Sequence, residues 1–406
     1  MEELFLEVVH KATNKTLTQW YSFHIVVSGS YEVIIESNDN ICAAIYNSER
    51  KEIINNALNE GSQHIYLATT LTRANTYYIK VSGNDMTQYS IYIHHVQKPT
   101  VPRKQWALLN RLLDEDGPYI EEGIVIRPEL DINIVPVWQY TKGNKIRVGI
   151  ADTRINEKHR QLVSQVNTQL GYDFVHDRPF VIENLEEAQT AIHGTHIAGI
   201  INRVAPEAEL IPLVVIGEKS KYCKVYTKAS DSFIKAIEYA KRYNIKIINC
   251  SFCGESFQER ERRAMLEARE ILFIIAAGND GRDLAKYKKY PACYDLPNSI
   301  VVTAVDLEGK LYKSANYGGP TTISAPGVEI WSTGINNDYI KRSGTSVATA
   351  FVTGACALLW ALEPTLTVQE IKKRIIQNTT TVKLQDLNGK ILSQGMLNVY
   401  RAIMHN

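Results

Sequence analysis

The spacing of apolar residues changes near residue 100 and divides the chain into two regions. Before that point, runs such as FHIVVSGSYEVIIES (23–37) and TYYIKVSGNDMTQYSIYIHHV (76–96) alternate apolar with polar positions and are separated by Gly, Asn and Asp. Alternation rich in β-branched and aromatic side chains is typical of antiparallel strands with one buried face. We therefore predict a small all-β sandwich domain over residues 1–98. Prolines and cations interrupt the pattern in QKPTVPRK, so residues 99–130 are predicted to be a linker and lead-in segment.

Residues 131–406 combine continuous apolar runs with segments of helical spacing, such as SDSFIKAIEYAKRY and FQERERRAMLEARE. A continuous apolar run indicates a strand buried on both faces. Alternation of such strands with helices predicts an α/β domain of three layers, in which helices cover both sides of a mostly parallel sheet. Thr367 and Glu370 in LTVQEIKKRII have the spacing of a capping box and predict the start of a late helix. The predicted strands are KIRVGIA, AELIPLVVI, IKIINCS, ILFIIAA and SIVVTAV.

Length, charge and cysteine content narrow the class of protein. A chain of 406 residues can form one large domain and a smaller one, and its net charge of +1 gives no electrostatic reason to expect nucleic acid or an anionic membrane as a partner. No window approaches ~18 uninterrupted apolar residues, so no membrane span is expected. The six cysteines are scattered as reduced thiols would be, and MEELFLEVVHKATNKT lacks the features of a signal peptide. We expect a cytoplasmic protein, or a secreted one if a signal peptide has been removed.

Three short motifs carry residues that could act chemically. Asp152 in RVGIADTRIN directly follows a predicted strand, His193 lies in AIHGTHIAGII, and Ser346 lies in KRSGTSVATAFVTG at a predicted loop-to-helix junction. Taken singly, each has a structural interpretation: a loop aspartate, a buried histidine and a helix N-cap. His193 and His196 could share a helix face, so a zinc site is an alternative, although no further ligand follows at helical spacing.

The motifs HGTHIAG and SGTSVATA, which follow an aspartate at a strand end, resemble those of the subtilisin-like serine proteases, the subtilases of peptidase family S8. The resemblance extends over about residues 130–403 and implies an Asp–His–Ser triad in this chain order. It makes Ser346 the nucleophile, His193 the general base and Asp152 the residue that orients the imidazole. Asn279 in IIAAGNDG and the Ser346 N–H would bind the oxyanion. The reaction implied is hydrolysis of peptide bonds through an acyl-enzyme, without a cofactor.

The resemblance also implies a groove in which a protein or peptide substrate binds as an added strand. The predicted substrate-binding residues are Ser251, Phe252, Cys253, Gly254, Ala277, Gly278, Asp280 and Lys289. Lys289, at the base of the pocket for the P1 side chain, would disfavour basic P1 residues and favour small, polar or acidic ones. The alternative is that Lys289 belongs to a solvated charge cluster, KYKKY.

Cys253 stands where the family pattern has a glycine, and it forms a CxxC with Cys250. Two residues three apart on a strand point to opposite faces. We therefore expect Cys253 to narrow the rim of the groove, in preference to a redox pair or a metal site with Cys250.

Three other departures from the family pattern bear on activity. Arg154 replaces a glycine after Asp152-Thr153, which would alter a backbone conformation that needs glycine. Ala350 replaces the proline that usually follows the nucleophile by four residues, and alanine should be accommodated easily there. The stretch HGTHIAGIINRVAPEAEL lacks the insertion that forms a calcium loop in many bacterial members, so no metal site is predicted.

We interpret the chain as a serine endopeptidase that carries out limited proteolysis of a protein or peptide precursor. The alternative is a catalytically inactive pseudoprotease that holds a peptide in the same groove. Residues 60–95 weakly resemble the end of a bacterial pre-peptidase C-terminal domain. Residues 1–98 could then be a folding or inhibitory partner, a substrate-recognition module or a packed accessory domain.

Overall fold

The chain forms two compact units, Met1–Val101 and Pro102–Asn406. The structure, a computed structural model, describes residues 8–11, 16–24, 29–37, 41–57, 64–71, 76–84, 88–96, 120–121, 124–125, 131–182, 191–217, 226–335, 337–380, 389–393 and 395–404. The predicted linker QKPTVPRK lies outside the described residues, as does most of the lead-in segment.

The N-terminal unit is all-β in its described part. Its strands are β1 Val8–Lys11, β2 Thr16–His24, β3 Gly29–Ser37, β4 Ile41–Tyr46, β5 Glu52–Ala57, β6 His64–Leu71, β7 Thr76–Asn84 and β8 Gln88–Val96. They form two antiparallel sheets, ordered β1-β8-β3-β6 and β2-β7-β4-β5. Ile45, Ile79 and Val81 are fully buried in this unit. The alternating pattern does not predict strands β4 and β5, because ICAAIY and EIINNA do not alternate apolar and polar residues.

The second unit is built on a mostly parallel sheet. Its strands are β11 Arg147–Asp152, β12 Tyr172–Asp173, β13 Arg178–Pro179, β14 Glu209–Val214, β15 Ile247–Cys250, β16 Leu272–Ala276, β17 Ser299–Val305 and β18 Ile323–Pro326. Their order is β13-β12-β14-β11-β15-β16-β17-β18, and every neighbouring pair is parallel except β12 with β13. The five predicted apolar runs form β11, β14, β15, β16 and β17, and all residues of β15, β16 and β17 are buried.

Short hairpins and helices complete this unit. The hairpins pair β9 Ile120–Glu121 with β10 Ile124–Val125 and β19 Ile330–Thr333 with β20 Tyr339–Arg342. The helices are α1 Ile192–Val204, α2 Tyr226–Arg242, α3 Glu259–Glu267, α4 Thr345–Leu362, α5 Val368–Gln377 and α6 Val399–Met404. Single 3₁₀ turns lie at Val135–Gln139 and Ala292–Tyr294. The predicted capping box is present at α5, where the Thr367 hydroxyl accepts from the Glu370 N–H and the Glu370 carboxylate accepts from the Thr367 N–H.

Helices pack on the sheet through alternate residues of its strands. Phe273 and Ile275 of β16 lie in one apolar cluster with Phe233 and Ile237 of α2. Helix α4 packs against β15 to β18 and against α1. The crossing of α1 and α4 is close, because a β-carbon on Gly354 would lie only 2.5 Å from Val204 Cβ. This crossing brings together the helices that carry the HGTH and SGTS motifs.

Helix α4 is the most apolar long helix of the described part. Among the described residues it alone is long and apolar enough to cross a membrane, yet 83% of it is buried inside the protein. Burial on all sides is typical of the core helix of a large domain. Ala350, in the position of the family's proline, is fully buried within it, and α4 runs uninterrupted from Thr345 to Leu362.

The order of the strands decides where a site can form. The chain leaves β11 for α1 and β14 on one side of β11, and later reaches β15 on its other side. In an open parallel sheet, such a reversal opens a crevice at the carboxyl ends of the strands. Asp152 is the last residue of β11 and therefore lies at this crevice.

Candidate active site

Asp152 and His193 are joined by a hydrogen bond. Asp152 is completely buried, whereas the side chain of His193, the second residue of α1, is 29% exposed. The Nδ1–H of His193 donates to Asp152 Oδ1 at 2.7 Å, and the Thr153 N–H donates to the same oxygen at 2.7 Å. Because the carboxylate holds Nδ1, Nε2 is the nitrogen left to accept a proton. Burial lowers the pKa of His193, but the charge of Asp152 and its hydrogen bond outweigh burial and raise that pKa above its usual value.

The loop after Asp152 is bonded directly to the start of α1. The Gly194 N–H donates to Thr153 Oγ1 at 3.0 Å, and the Asn156 N–H donates to Thr195 Oγ1 at 2.8 Å. A β-carbon on Gly194 would lie 2.6 Å from the carbonyl oxygen of Arg154, so only glycine fits this approach. These contacts fix the distance between the strand that carries Asp152 and the helix that carries His193.

His196 is a structural residue and does not share a ligand with His193. It is fully buried, its Nε2 lies 3.1 Å from the carbonyl oxygen of Ile330, and burial lowers its pKa to about 3. A histidine with such a pKa is neutral at physiological pH. In the described part of the chain, no group of three or more His, Cys, Asp or Glu residues could hold a metal ion. The zinc alternative therefore has no support in the described structure.

Ser346 lies at the start of α4, as its second residue. Its own N–H has no acceptor among the described residues, as is usual in the first turn of a helix, and so remains able to donate. The Ser346 hydroxyl donates to the carbonyl oxygen of Ser251 at 3.1 Å. Within the described residues no hydrogen bond joins Ser346 to His193, so this structure links two of the three predicted triad residues directly.

Asn279 is held with its amide nitrogen free. It is exposed and lies just after β16, and its Oδ1 accepts from the N–H of Thr345 at 2.9 Å and from the Thr345 hydroxyl at 3.2 Å. Because Oδ1 is occupied, Nδ2 is the atom that can donate to a bound group. Gly344, at φ 149°, allows the approach, since a β-carbon there would lie 3.2 Å from Nδ2. The Nδ2 of Asn279 and the N–H of Ser346 are therefore both available beside the start of α4.

Two segments leave the carboxyl ends of adjacent strands beside α4. Residues 251–254 follow β15, and residues 277–279 follow β16. The Ser251 hydroxyl donates to the carbonyl oxygen of Ser346 at 3.2 Å, which ties the first segment to α4. Gly254 pairs with Tyr290 through two backbone hydrogen bonds of 2.7 and 2.9 Å. The space between the two segments is the predicted substrate groove.

The sequence profile of the subtilase family (Peptidase_S8) matches residues 143–395. The chain belongs to the subtilase family. Family membership classes it as a serine endopeptidase. The match does not reach the N-terminal unit, so the resemblance of residues 60–95 to a pre-peptidase C-terminal domain stays a prediction.

Relatives and solved structures agree with this assignment. The chain is 33% identical over 258 residues to a thermostable alkaline protease of Halalkalibacterium halodurans, covering 61% of this chain and 65% of that protein, slightly less than two thirds of its length. It is 30% identical over 285 residues to an intracellular serine protease of Paenibacillus polymyxa, covering 63% of this chain and 83% of that protein. Its fold matches the prenylagaramide maturation protease PagA with a TM-score of 0.54 and 27% identity, over 67% of this chain and 97% of that one.

Arg154, the first departure of this subtilase from the family pattern, needs no glycine-like backbone. It is absent from the described non-glycine residues with positive φ, so its own backbone is not in a conformation that requires glycine. The expected change relative to the family pattern stays a prediction. Its guanidinium is 1% exposed and pairs with Asp173 at 2.7 Å, an aspartate that is equally buried. His176 Nδ1 lies 3.0 Å from the same carboxylate oxygen. The sequence did not identify this ion pair because Arg154, in the loop after β11, and Asp173, at the end of β12, are 19 residues apart in the chain.

Lys289 does not belong to a solvated cluster. Its neighbours Lys286, Tyr287 and Lys288 are exposed, but the side chain of Lys289 is only 11% exposed. Its Nζ lies 3.0 Å from Glu255 Oε1 and 3.1 Å from Asp280 Oδ2. The sequence analysis named Asp280 as a site residue but missed Glu255. Glu255 contacts Lys289 only in the folded chain, where the two segments lie together.

Phe252 and Cys253, two further predicted groove residues, differ in the surroundings of their side chains. Phe252 packs edge-to-face on Phe233 at 5.1 Å between ring centroids, so its side chain faces the core. Cys250 is fully buried at the end of β15, Cys253 is half-buried, and both thiols are free.

Only residues 205–208 separate α1 from β14, where the sequence lacks the calcium-loop insertion.

Proposed function

We propose that the chain is an active serine endopeptidase in which Asp152, His193 and Ser346 form the catalytic triad. The observation that carries this proposal is the 2.7 Å hydrogen bond between Asp152 and His193, made by a strand end and a helix start in the order that subtilases require. The raised pKa of His193 supports a role as proton acceptor. Asn279 Nδ2 and the Ser346 N–H are the two donors for the oxyanion.

The chemical steps follow from these positions. The Ser346 side chain first rotates away from the Ser251 carbonyl oxygen, so that its proton can pass to His193 Nε2. Ser346 Oγ forms a bond to the scissile carbonyl carbon, and the carbonyl oxygen becomes an anion bound by the two donors. The C–N bond then breaks, and the amine leaves with the proton from His193. Water hydrolyses the ester by the same route, which returns the proton to Ser346.

The substrate in this proposal is an extended segment of a protein or peptide precursor, bound along residues 251–254 as an added strand. Within the described residues the backbone N–H and C=O groups of Phe252 and Cys253 make no hydrogen bond, so they can pair with a substrate strand. Gly254 is already paired with Tyr290, and the Ser251 carbonyl oxygen accepts from Ser346. Limited processing of a precursor is supported by the fold and 27% identity shared with a maturation protease. Action inside the cell is supported by the 30% identity with an intracellular serine protease.

A second candidate is a pseudoprotease that binds a peptide without cutting it. The observation that favours it is the hydrogen bond of the Ser346 hydroxyl to Ser251, which directs the nucleophile away from His193. Catalytic hydrogen bonds are often long or misaligned before substrate binds, so this bond is also compatible with an enzyme. Every chemical position of the triad is filled by the required residue, which favours the enzyme.

Hydrolysis of casein and of quenched peptides by the purified full chain tests the proposal. We expect turnover by the wild type and a loss of at least ~10³-fold in Ser346→Ala, since the nucleophile is removed. The matched control is Ser343→Ala, because the Ser343 hydroxyl accepts from the Glu329 N–H outside the site. Equal activity in the wild type and Ser346→Ala would refute the proposed nucleophile.

A further inference from the structure

The space between residues 251–254 and 277–279 receives the side chain on the acyl side of the scissile bond. The scissile carbonyl carbon of the P1 residue must lie between Ser346 Oγ and Asn279 Nδ2. A substrate strand added along residues 251–254 then places the P1 side chain between the two segments. We name this space the acyl-side cleft. The inference below rests on the proposed peptidase function and concerns which P1 side chains the cleft admits.

The Cys253 thiol crosses the acyl-side cleft. Cys253 belongs to one wall and Gly278 to the other, yet a β-carbon on Gly278 would lie 3.1 Å from Cys253 Sγ. The thiol therefore occupies the width between the walls, where a glycine at position 253 would leave space. Burial raises the pKa of this thiol, so it is neutral and acts as a small apolar wall.

An ion cluster of one ammonium and two carboxylates bridges the ends of the two walls, with Lys289 11% exposed, Asp280 39% and Glu255 80%. The Lys289 Nζ contacts Asp280 Oδ2 at 3.1 Å and Glu255 Oε1 at 3.0 Å, which spans from one wall to the other. Glu255 directly follows residues 251–254 and Asp280 directly follows residues 277–279, so the cluster joins the same two segments that form the cleft.

The cluster presents charges of both signs to a P1 side chain, since two carboxylates share one ammonium. An acidic P1 residue would have to displace Glu255 and would bring a third negative charge to a single ammonium. A basic P1 residue would lie beside the Lys289 ammonium and compete with it for Asp280. The acidic preference expected from Lys289 alone is therefore removed by its two partners.

We propose that Cys253 and the Lys289–Asp280–Glu255 cluster restrict the acyl-side cleft, so that the enzyme cleaves after residues with short, uncharged side chains such as glycine, alanine and serine. Specificity here comes from a cleft narrowed by the Cys253 thiol, which rejects large side chains, and from a cluster whose ammonium repels basic side chains and whose carboxylates repel acidic ones. One methylene too many in a pocket changes kcat/KM by ~10–200-fold.

The test measures kcat/KM for quenched peptides that differ only at P1, with Ala, Phe, Glu and Lys. For the wild type we expect Ala to exceed each of the others by ~10-fold or more. Cys253→Gly should raise the Phe-to-Ala ratio by ~10-fold or more, because the cleft regains its width. Lys289→Ala should raise the Lys-to-Ala ratio, because Asp280 and Glu255 lose their cation. Cys42→Ser, at an exposed cysteine of the N-terminal unit, is the thiol control and should keep the wild-type profile.

Each result decides the inference. A wild type that cuts after Phe as well as after Ala overturns it, as do unchanged ratios in folded, active variants. If Cys253→Gly does not fold, the wild-type profile and Lys289→Ala still decide. A wild type that cuts none of the peptides but whose Ser346 reacts with a fluorophosphonate overturns the specificity inference alone. Absence of both cleavage and labelling overturns the peptidase function and the inference with it.

Discussion

Single residues carry the chemistry, and Asn279 is the one whose orientation the structure explains most fully. Its Oδ1 is held by the N–H and hydroxyl of Thr345, so Nδ2 must face away from Thr345. A residue with this fixed orientation stabilises an anion without the cost of reorganisation during the reaction. In the proposed mechanism Asn279 therefore donates to the transition state and not to the bound substrate.

Asn279→Asp separates the two functions of this side chain. Aspartate keeps an oxygen for the Thr345 N–H but cannot donate to the oxyanion. We expect kcat to fall by ~10²–10³-fold with little change in KM, the size of effect known for the oxyanion asparagine of subtilisin. Steady-state kinetics measure this, with thermal unfolding as the control for folding. A kcat within ~3-fold of the wild type would exclude Asn279 from the oxyanion hole.

The pH dependence of activity belongs to His193. Asp152 raises the pKa of His193, and only the neutral imidazole can accept the Ser346 proton. Activity should therefore fall as pH drops through a value above the usual histidine pKa. In Asp152→Asn the negative charge is gone, so this limb should move to lower pH and kcat should fall by ~10⁴-fold. A pH profile of kcat/KM measures both, and a limb that stays in place would contradict the assigned pair.

At the scale of elements, the buried pair of Arg154 and Asp173 links the loop after β11 to the end of β12. The backbone of the same loop contacts the start of α1. Breaking a buried ion pair by removing one partner costs ~3–5 kcal/mol, because the other charge stays buried. Arg178 and His176 remain beside the same Asp173 oxygen, at 3.8 and 3.0 Å, so the cost here should be near the lower value.

Arg154→Met should lower the free energy of unfolding by about 3 kcal/mol. The double variant Arg154→Met, Asp173→Leu should recover part of this loss, since no charge is left buried without its partner. Chemical denaturation followed by circular dichroism measures both variants. Equal stability of Arg154→Met and the wild type would mean that the ion pair does not hold this loop.

Several elements could be predicted from the sequence because their cause is local. SIVVTAV matches β17 residue for residue, and Thr367 with Glu370 marks the start of α5 as predicted. The hydrogen bond of Ser346 to Ser251 and the contact of Glu255 with Lys289 could not be predicted. Each depends on segments distant in sequence that meet only at the carboxyl ends of β15 and β16. The Arg154–Asp173 pair also forms only in the folded chain, between the loop after β11 and the end of β12.

At the scale of the whole molecule, three motifs spread over almost 200 residues, at Asp152, His193 and Ser346, lie in one unit of the chain. The order β14-β11-β15 and the close crossing of α1 and α4 assemble them. The fold class and the family were predictable because the motifs are long and specific. The P1 preference proposed above differs from the sequence-based expectation in excluding acidic residues, because the contacts of Lys289 with Glu255 and Asp280 exist only in the folded chain.

The central claim is that Ser346 is a nucleophile activated by His193 and Asp152. A fluorophosphonate probe forms a covalent bond only with an activated serine, so its site of attachment tests the claim directly. We predict that mass spectrometry of the labelled full chain finds the phosphonyl group on Ser346, and that folded Ser346→Ala is not labelled. A folded wild type that stays unlabelled, or a label on another serine, would contradict the account.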